Sequence, residues 1–238
     1  MKKVPNFKIL AKKYKKWILI GSLIIKVSKN KLVNRSVLID NKGKIKTYYD
    51  KIHMYDVVLS KREKYFESKT FSAGKKTKSF KLPWGKFGLT ICYDLRFPNL
   101  YRKLSKAGCL FISVPSAFTE TTGNRHWHSL LKARAIENFC YIFAPAQGGT
   151  HYNGRKTFGH SMIISPDGKI LKELKKSEGV ITVSIDPKIP KKLSEHARLL
   201  GSSEGVWTFA EKYIECNLPV ELPHSPYHIN LLAEDQAC

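Results

Sequence analysis

The sequence has no CxxC pair and an odd number of cysteines. The five (Cys92, Cys109, Cys140, Cys216 and Cys238) stand at unrelated spacings. That excludes a disulfide framework and a thiolate zinc cage, and it suits a reducing compartment, so a cytoplasmic location is expected. Long apolar runs are lacking too. The stretch Trp17 to Ile25 follows a lysine-rich start but is too short to span a bilayer. Lys26 and Val27 follow it where a small-residue cleavage site would stand, so it reads as a core strand with no membrane partner. Acidic side chains are scarce, 19 against 42 lysines and arginines, for a formal charge of +23. Lysine is scattered through every segment, with no basic stripe interleaved with aromatics, so no nucleic-acid partner is expected. No glutamate precedes Glu63, and the first acid of any kind is Asp40. His126 and His128 form a lone HxH with no third ligand suggested nearby, so neither a metal nor a cofactor is expected.

What is present fits a folded domain. The chain has 238 residues, 42% of them hydrophobic, enough for one large core. Phe7, Leu10, Ala11 and Tyr14 recur at helical spacing within 6–16, with Asn6 as a cap. Strands are expected over 17–27, 34–40 and 44–49, with the turn Asn41-Lys-Gly43 between the last two. The polar stretch Lys61 to Lys78 reads as a loop or lid. Further strands are expected at Leu89 to Cys92, 109–114, 140–144, 159–164 and 179–185. Helices are expected over 99–106 and 126–139, with 115–123 and 147–157 as loops. Strands alternate with helices, yet hairpin turns recur, which predicts an α/β layered sandwich with mixed sheets. From residue 191 the composition changes: four basic residues face seven acidic ones. The expected division is a domain over 1–190 and a divergent tail over 191–238.

One stretch organises the rest: Gly88-Leu-Thr-Ile-Cys92-Tyr-Asp-Leu-Arg-Phe-Pro98. A short buried strand ending on Cys92 would hold the sulfur at the rim of a sheet. A single cysteine is more often an inert core residue than a nucleophile. Thiol catalysis needs a deprotonatable sulfur, a base and positive charge near the oxyanion.

Other motifs stand around that cysteine. Tyr49-Asp-Lys51-Ile-His53 lies upstream, Glu67 follows Lys51 by sixteen residues, and Cys92 follows Glu67 by twenty-five. Downstream come Pro115-Ser-Ala-Phe-Thr119, Gly123-Asn-Arg-His-Trp127, Ala133-Arg-Ala-Ile-Glu-Asn138 and Gly159-His-Ser-Met-Ile-Ile-Ser-Pro-Asp-Gly168. In this order and spacing, residues 31–188 resemble the carbon–nitrogen hydrolase (nitrilase) superfamily. The resemblance is closest to the branch of omega-amidase and deaminated-glutathione amidase.

That resemblance implies an αββα four-layer sandwich, here incomplete at the N-terminus, and hydrolysis of a small carboxylate-bearing amide to acid and ammonia. Cys92 would be the nucleophile, Lys51 the oxyanion cation and Glu67 the carboxylate that keeps Lys51 charged. Tyr93 would offer a backbone N–H, Arg96 would meet a substrate carboxylate, and Phe118 and Thr119 would line the pocket. A homodimer is implied. The family's general base is a glutamate upstream of the lysine motif, and no such residue stands in this sequence. The alternative is therefore an inactive remnant or scaffold of the same fold.

Overall fold

The computed structural model describes residues 4–29, 31–61, 63–152, 154–199 and 228–233. Helix α1 (Val4–Tyr14) leads into three antiparallel strands, β1 (Ile18–Ser28), β2 (Lys31–Ile39) and β3 (Ile45–Asp50). Asp40 closes the β2–β3 turn by accepting from the backbone N–H groups of Lys42 (3.0 Å) and Lys44 (2.8 Å). A small hairpin follows, β4 (Asp56–Val58) and β5 (Lys64–Phe66), then a 3₁₀ turn over Glu67–Lys69. Strands β6 (Lys78–Leu82) and β7 (Gly85–Leu89) form the next hairpin. Helix α2 (Pro98–Lys106) then crosses to β8 (Cys109–Ser113), and α3 (Glu120–Asn138) crosses to β9 (Tyr141–Ala144). The hairpin β10 (Gly148–Thr150) and β11 (Lys156–Phe158) precedes β12 (Met162–Ile164) and β13 (Ile170–Glu173). Strand β14 (Gly179–Ser184), helix α4 (Ile189–Leu199) and β15 (His228–Ala233) complete the order.

Six strands make the central sheet, in the order β13-β12-β9-β8-β7-β6. Its middle pairs, β7–β8 and β8–β9, are parallel, and its outer pairs are antiparallel. The recurring hairpin turns and the strand–helix alternation both have their place in this mixed sheet. Successive side chains on a strand face opposite ways. Ile112, Ile142, Met162 and Ile164 accordingly pack with Leu100, Tyr101, Leu104, Trp127 and Leu131 of the α2–α3 layer. Phe111, Phe143 and Ile163, their neighbours in sequence, pack on the other side with Leu38 and Tyr49 of the three-stranded sheet. Beyond that sheet, Val4 and Ala11 of α1 close a third cluster on Ile20, Val37 and Ile39. The layers are thus helix, sheet, sheet, helix, the αββα sandwich expected.

Several boundaries differ from the sequence reading. The apolar run read as a core strand is β1, with Ile20 and Ile25 buried. Among the described residues no helix is long and apolar enough to cross a membrane. Helix α3 starts at Glu120, six residues before the expected start at His126. Thr119 caps it, its hydroxyl accepting from the Thr122 backbone N–H at 3.3 Å and meeting the Thr122 hydroxyl at 2.9 Å. Gly123, read as a loop residue, lies inside the helix, where a Cβ would come within 2.3 Å of Phe158. The stretch read as a loop or lid carries β5 and the Glu67 turn. Helix α4 runs across residue 190, and β15 pairs antiparallel with β14. The rest of the expected tail, 200–227 and 234–238, lies outside the described residues.

Candidate active site

Strand β7 ends at Leu89, but its path beside β8 continues to the cysteine. Thr90 N–H donates to Ser113 O (3.2 Å) and Cys92 N–H to Pro115 O (2.9 Å). Ile91 is still extended; Cys92 then turns to φ +51° and opens a 3₁₀ turn over Cys92–Arg96. A non-glycine residue in the left-handed region costs about 1–2 kcal/mol, so the surroundings must hold it. The strand therefore stops three residues before the cysteine, and the sulfur sits on a sharp corner at the sheet's end.

Asp94 holds that corner. Its side chain is fully buried and accepts from the Ile91 backbone N–H (2.9 Å) and the Tyr49 hydroxyl (2.7 Å). It also meets His53 twice, accepting from the backbone N–H (3.1 Å) and lying 2.7 Å from Nδ1. Burial and the Asp94 carboxylate both push the Tyr49 phenol's pKa up, so the hydroxyl stays a donor. The His53 ring stacks on Phe97, with centres 3.6 Å apart and planes 8° from parallel. Residues on both sides of Lys51 are thereby fastened to the turn that carries Cys92.

Lys51 extends the β2–β3 ladder by one bond, its N–H donating to Asn34 O at 2.9 Å. Asp50, its neighbour, points the other way and forms a forked pair with Arg35 (2.6 and 2.8 Å), as strand alternation requires. The Lys51 side chain is 2% exposed, and its ammonium pairs with Glu67 Oε2. The same oxygen accepts from the Tyr55 backbone N–H at 2.6 Å. Gly74 N–H donates to Lys51 O at 2.7 Å, and a Cβ on Gly74 would come within 2.1 Å of Asp50 O. Only glycine lets the chain pass this close.

Tyr55 connects this pair with the other candidates. Its ring meets Tyr93 edge-on at 5.0 Å and Tyr65 at 5.2 Å. Burial pushes its phenol's pKa up, opposed by the hydroxyls of Thr119 and Thr122, with Cys92 and Arg96 near enough to act on it. The Arg96 guanidinium lies 5.6 Å from the Phe118 ring centre and 5.8 Å from that of Tyr93. It donates to His126 Nδ1 at 3.1 Å. Phe118 is buried against Trp127, with ring centres 4.9 Å apart. Thr119 is also buried, with its hydroxyl engaged in capping α3. A cleft of about 630 Å³ opens beside the His53–Phe97 stack, lined by Ile52, Lys75, Lys76 and Lys103 among others; Cys92 does not line it.

The structure thus pairs Lys51 with Glu67, ties their segment to the Cys92 turn, and groups Tyr93, Arg96 and Phe118. It adds Tyr49, His53, Tyr55 and Asp94, which sequence reasoning passed over. A signal existed for three of them. Tyr49 and His53 flank Lys51 at two-residue spacing, and Asp94 is the one acid in the cysteine motif.

His126 makes the site sensitive to pH. Burial holds its imidazole below the usual 6.5, and Arg96 and Arg125 lower it further. A group so depressed takes up its proton more readily in the unfolded chain. Its contribution to stability is present above about pH 6.5 and is lost as pH falls through that value toward the lower folded one. His126→Gln still offers Arg96 an acceptor. It is expected to make the stability loss between about pH 7.5 and 5.5 shallower in urea unfolding. An unchanged loss would remove His126 from this account.

The carbon–nitrogen hydrolase family profile matches residues 3–189. The chain belongs to the carbon–nitrogen hydrolase family. Among curated relatives, this chain is 42% identical over 180 residues to the deaminated glutathione amidase of Yersinia enterocolitica. The match covers 74% of this chain and 63% of that protein. The chain therefore spans somewhat less than two thirds of that relative. Among solved structures, the Caenorhabditis elegans NitFhit protein superimposes with a TM-score of 0.76 at 33% identity, covering 84% of this chain and 50% of the other. Saccharomyces cerevisiae Nit3, described as a member of the nitrilase superfamily, gives 0.74 at 28% identity, covering 85% and 70%.

Proposed function

We propose that this chain hydrolyses a small carboxylate-bearing amide to the acid and ammonia through a thioester on Cys92. Cys92 gives its thiol proton to solvent water and attacks the amide carbon as the thiolate; a C–S bond forms, and the carbonyl π electrons move onto oxygen. Lys51 and the Tyr93 backbone N–H stabilise that oxyanion. The oxyanion then collapses and the C–N bond breaks as Lys51 passes a proton to the departing nitrogen; water adds to the thioester, the C–S bond breaks to release the thiolate, and a proton of that water returns to Lys51. Glu67 keeps Lys51 in its charged form. Arg96 has donors beyond the one given to His126 and offers them to the substrate carboxylate. Phe118 gives that pocket an apolar wall. One observation carries the reading: the pair of buried Lys51 and half-buried Glu67 is bound, through His53 and Asp94, to the turn that holds Cys92.

A second reading, an inactive scaffold of the same fold, rests on the early carboxylates. Asp40 is committed to its turn, Asp50 to Arg35, and Asp56 to the Ser68 backbone N–H at 3.0 Å. Each of these carboxylates is already engaged by other donors. Ammonia release from monoamides of short dicarboxylic acids separates the readings. Release above a Cys92→Ala control supports the amidase. A folded protein that releases none supports the scaffold.

A further inference from the structure

We propose that His128, His160 and Glu173 form a binding site for a divalent transition cation of the zinc type. The site is separate from the proposed thiol chemistry and does not depend on it. The HxH motif does not act as a pair: His126 accepts from Arg96, whereas His128 turns to residues far along the chain. His128 Nε2 lies 3.0 Å from Glu173 Oε1, and His160 Nδ1 lies 2.5 Å from the same oxygen. All three ligand atoms lie within 4.8 Å of one another. Sequence reading found no third ligand for His128 because both its partners come from other elements.

The elements around the cluster are tied to one another. His128 sits in mid-α3, next to Trp127, whose indole N–H donates to His160 O at 2.9 Å. His160 is held at φ +61°, and its ring stacks on Phe158 at 4.1 Å. Glu173 ends β13 and stands opposite Met162 of β12. The two imidazoles meet edge to face at 71°, so their edges converge on one carboxylate.

Two imidazoles and a carboxylate are the borderline donor set that zinc-like cations prefer to magnesium or calcium. A cation at about 2.0–2.2 Å from each ligand would spread the donor atoms to roughly 3.3–3.5 Å. The present spacing needs only small side-chain rotations to reach that. Each ring would present a lone pair to the cation from the nitrogen that now faces Glu173. The His128 side chain, 36% exposed, gives the cation and a fourth ligand water a way in.

The test uses the full chain with accessible thiols alkylated, since cysteine would otherwise compete for metal. Zinc is titrated against a chromogenic chelator near neutral pH. One zinc per chain is expected. Glu173→Gln and His128→Gln, each checked by circular dichroism, should weaken binding by 10–100-fold or more, on the order of what even outer-shell changes cost. Cobalt added to the unsubstituted chain gives an independent readout, with visible bands of tetrahedral nitrogen–oxygen coordination expected. No zinc uptake at roughly 100 µM, which would fill a micromolar site, overturns the proposal. Uptake unchanged in both variants, or a cobalt spectrum like that of the aqueous ion, does so too. Any of these three results would leave the cluster as a hydrogen-bonded strut between α3 and β13.

Discussion

Asp94→Ala is expected to lower the stability of the fold by about 3–5 kcal/mol, the range for breaking a buried charged network by removing one partner. The carboxylate is fully buried and meets the Tyr49 hydroxyl, Ile91 N–H, His53 N–H and the His53 ring. Alanine would strand the Tyr49 hydroxyl and Ile91 N–H away from water, at about 1–3 kcal/mol each. In a chain of this size the melting temperature should fall by roughly 6–20 °C. Tyr49→Phe is the useful comparison. It removes the bond to Asp94 and the one accepted from Ile52 N–H (3.3 Å) and leaves Asp94 its other donors, so a loss of about 1–3 kcal/mol is expected. If Asp94→Ala unfolds in urea within about 1 kcal/mol of the unaltered chain, the proposed clamp between the lysine and cysteine segments is wrong.

Lys51→Met should reduce ammonia release by about a thousandfold or more, given an active unsubstituted chain. Removing one oxyanion donor typically costs about 10²–10³, and losing a proton donor to the leaving group adds to it. The side chain is 2% exposed and reaches Glu67 directly, so the site admits a compact ammonium. Lys51→Arg keeps the charge but brings a broad planar fork, and it should recover less than about a tenth of the lost activity. Melting curves of both variants separate a folding defect from a chemical one. Activity of Lys51→Met within about tenfold of the original would remove Lys51 from the oxyanion role.

The two predictions draw on different kinds of information. Lys51, Glu67 and Cys92 could be singled out because each stands in a short motif at a fixed spacing. The strands were legible because alternation exposes them: Phe111 and Ile112, or Ile142 and Phe143, face the two cores in turn. The start of α3 was misread because Thr121, Thr122 and Gly123 have poor helix propensity. A cap at Thr119 and the close contact of Gly123 with Phe158 override that preference. The strand expected to end on Cys92 was misread because local pattern cannot distinguish a strand from a continuation bonded on one side only.

The sequence by itself determined the family and the alternation of strands and helices, and it singled out the sulfur, amine and carboxylate proposed for the site. All of these are written in local periodicity and in motif spacing. Only the tertiary structure decided that Asp94 binds the lysine segment to the cysteine turn, and that His128 leaves His126 for His160 and Glu173. Such meetings depend on strand register and on the stacking of layers. They bring together side chains 41 or 45 residues apart, a distance over which no local pattern carries information.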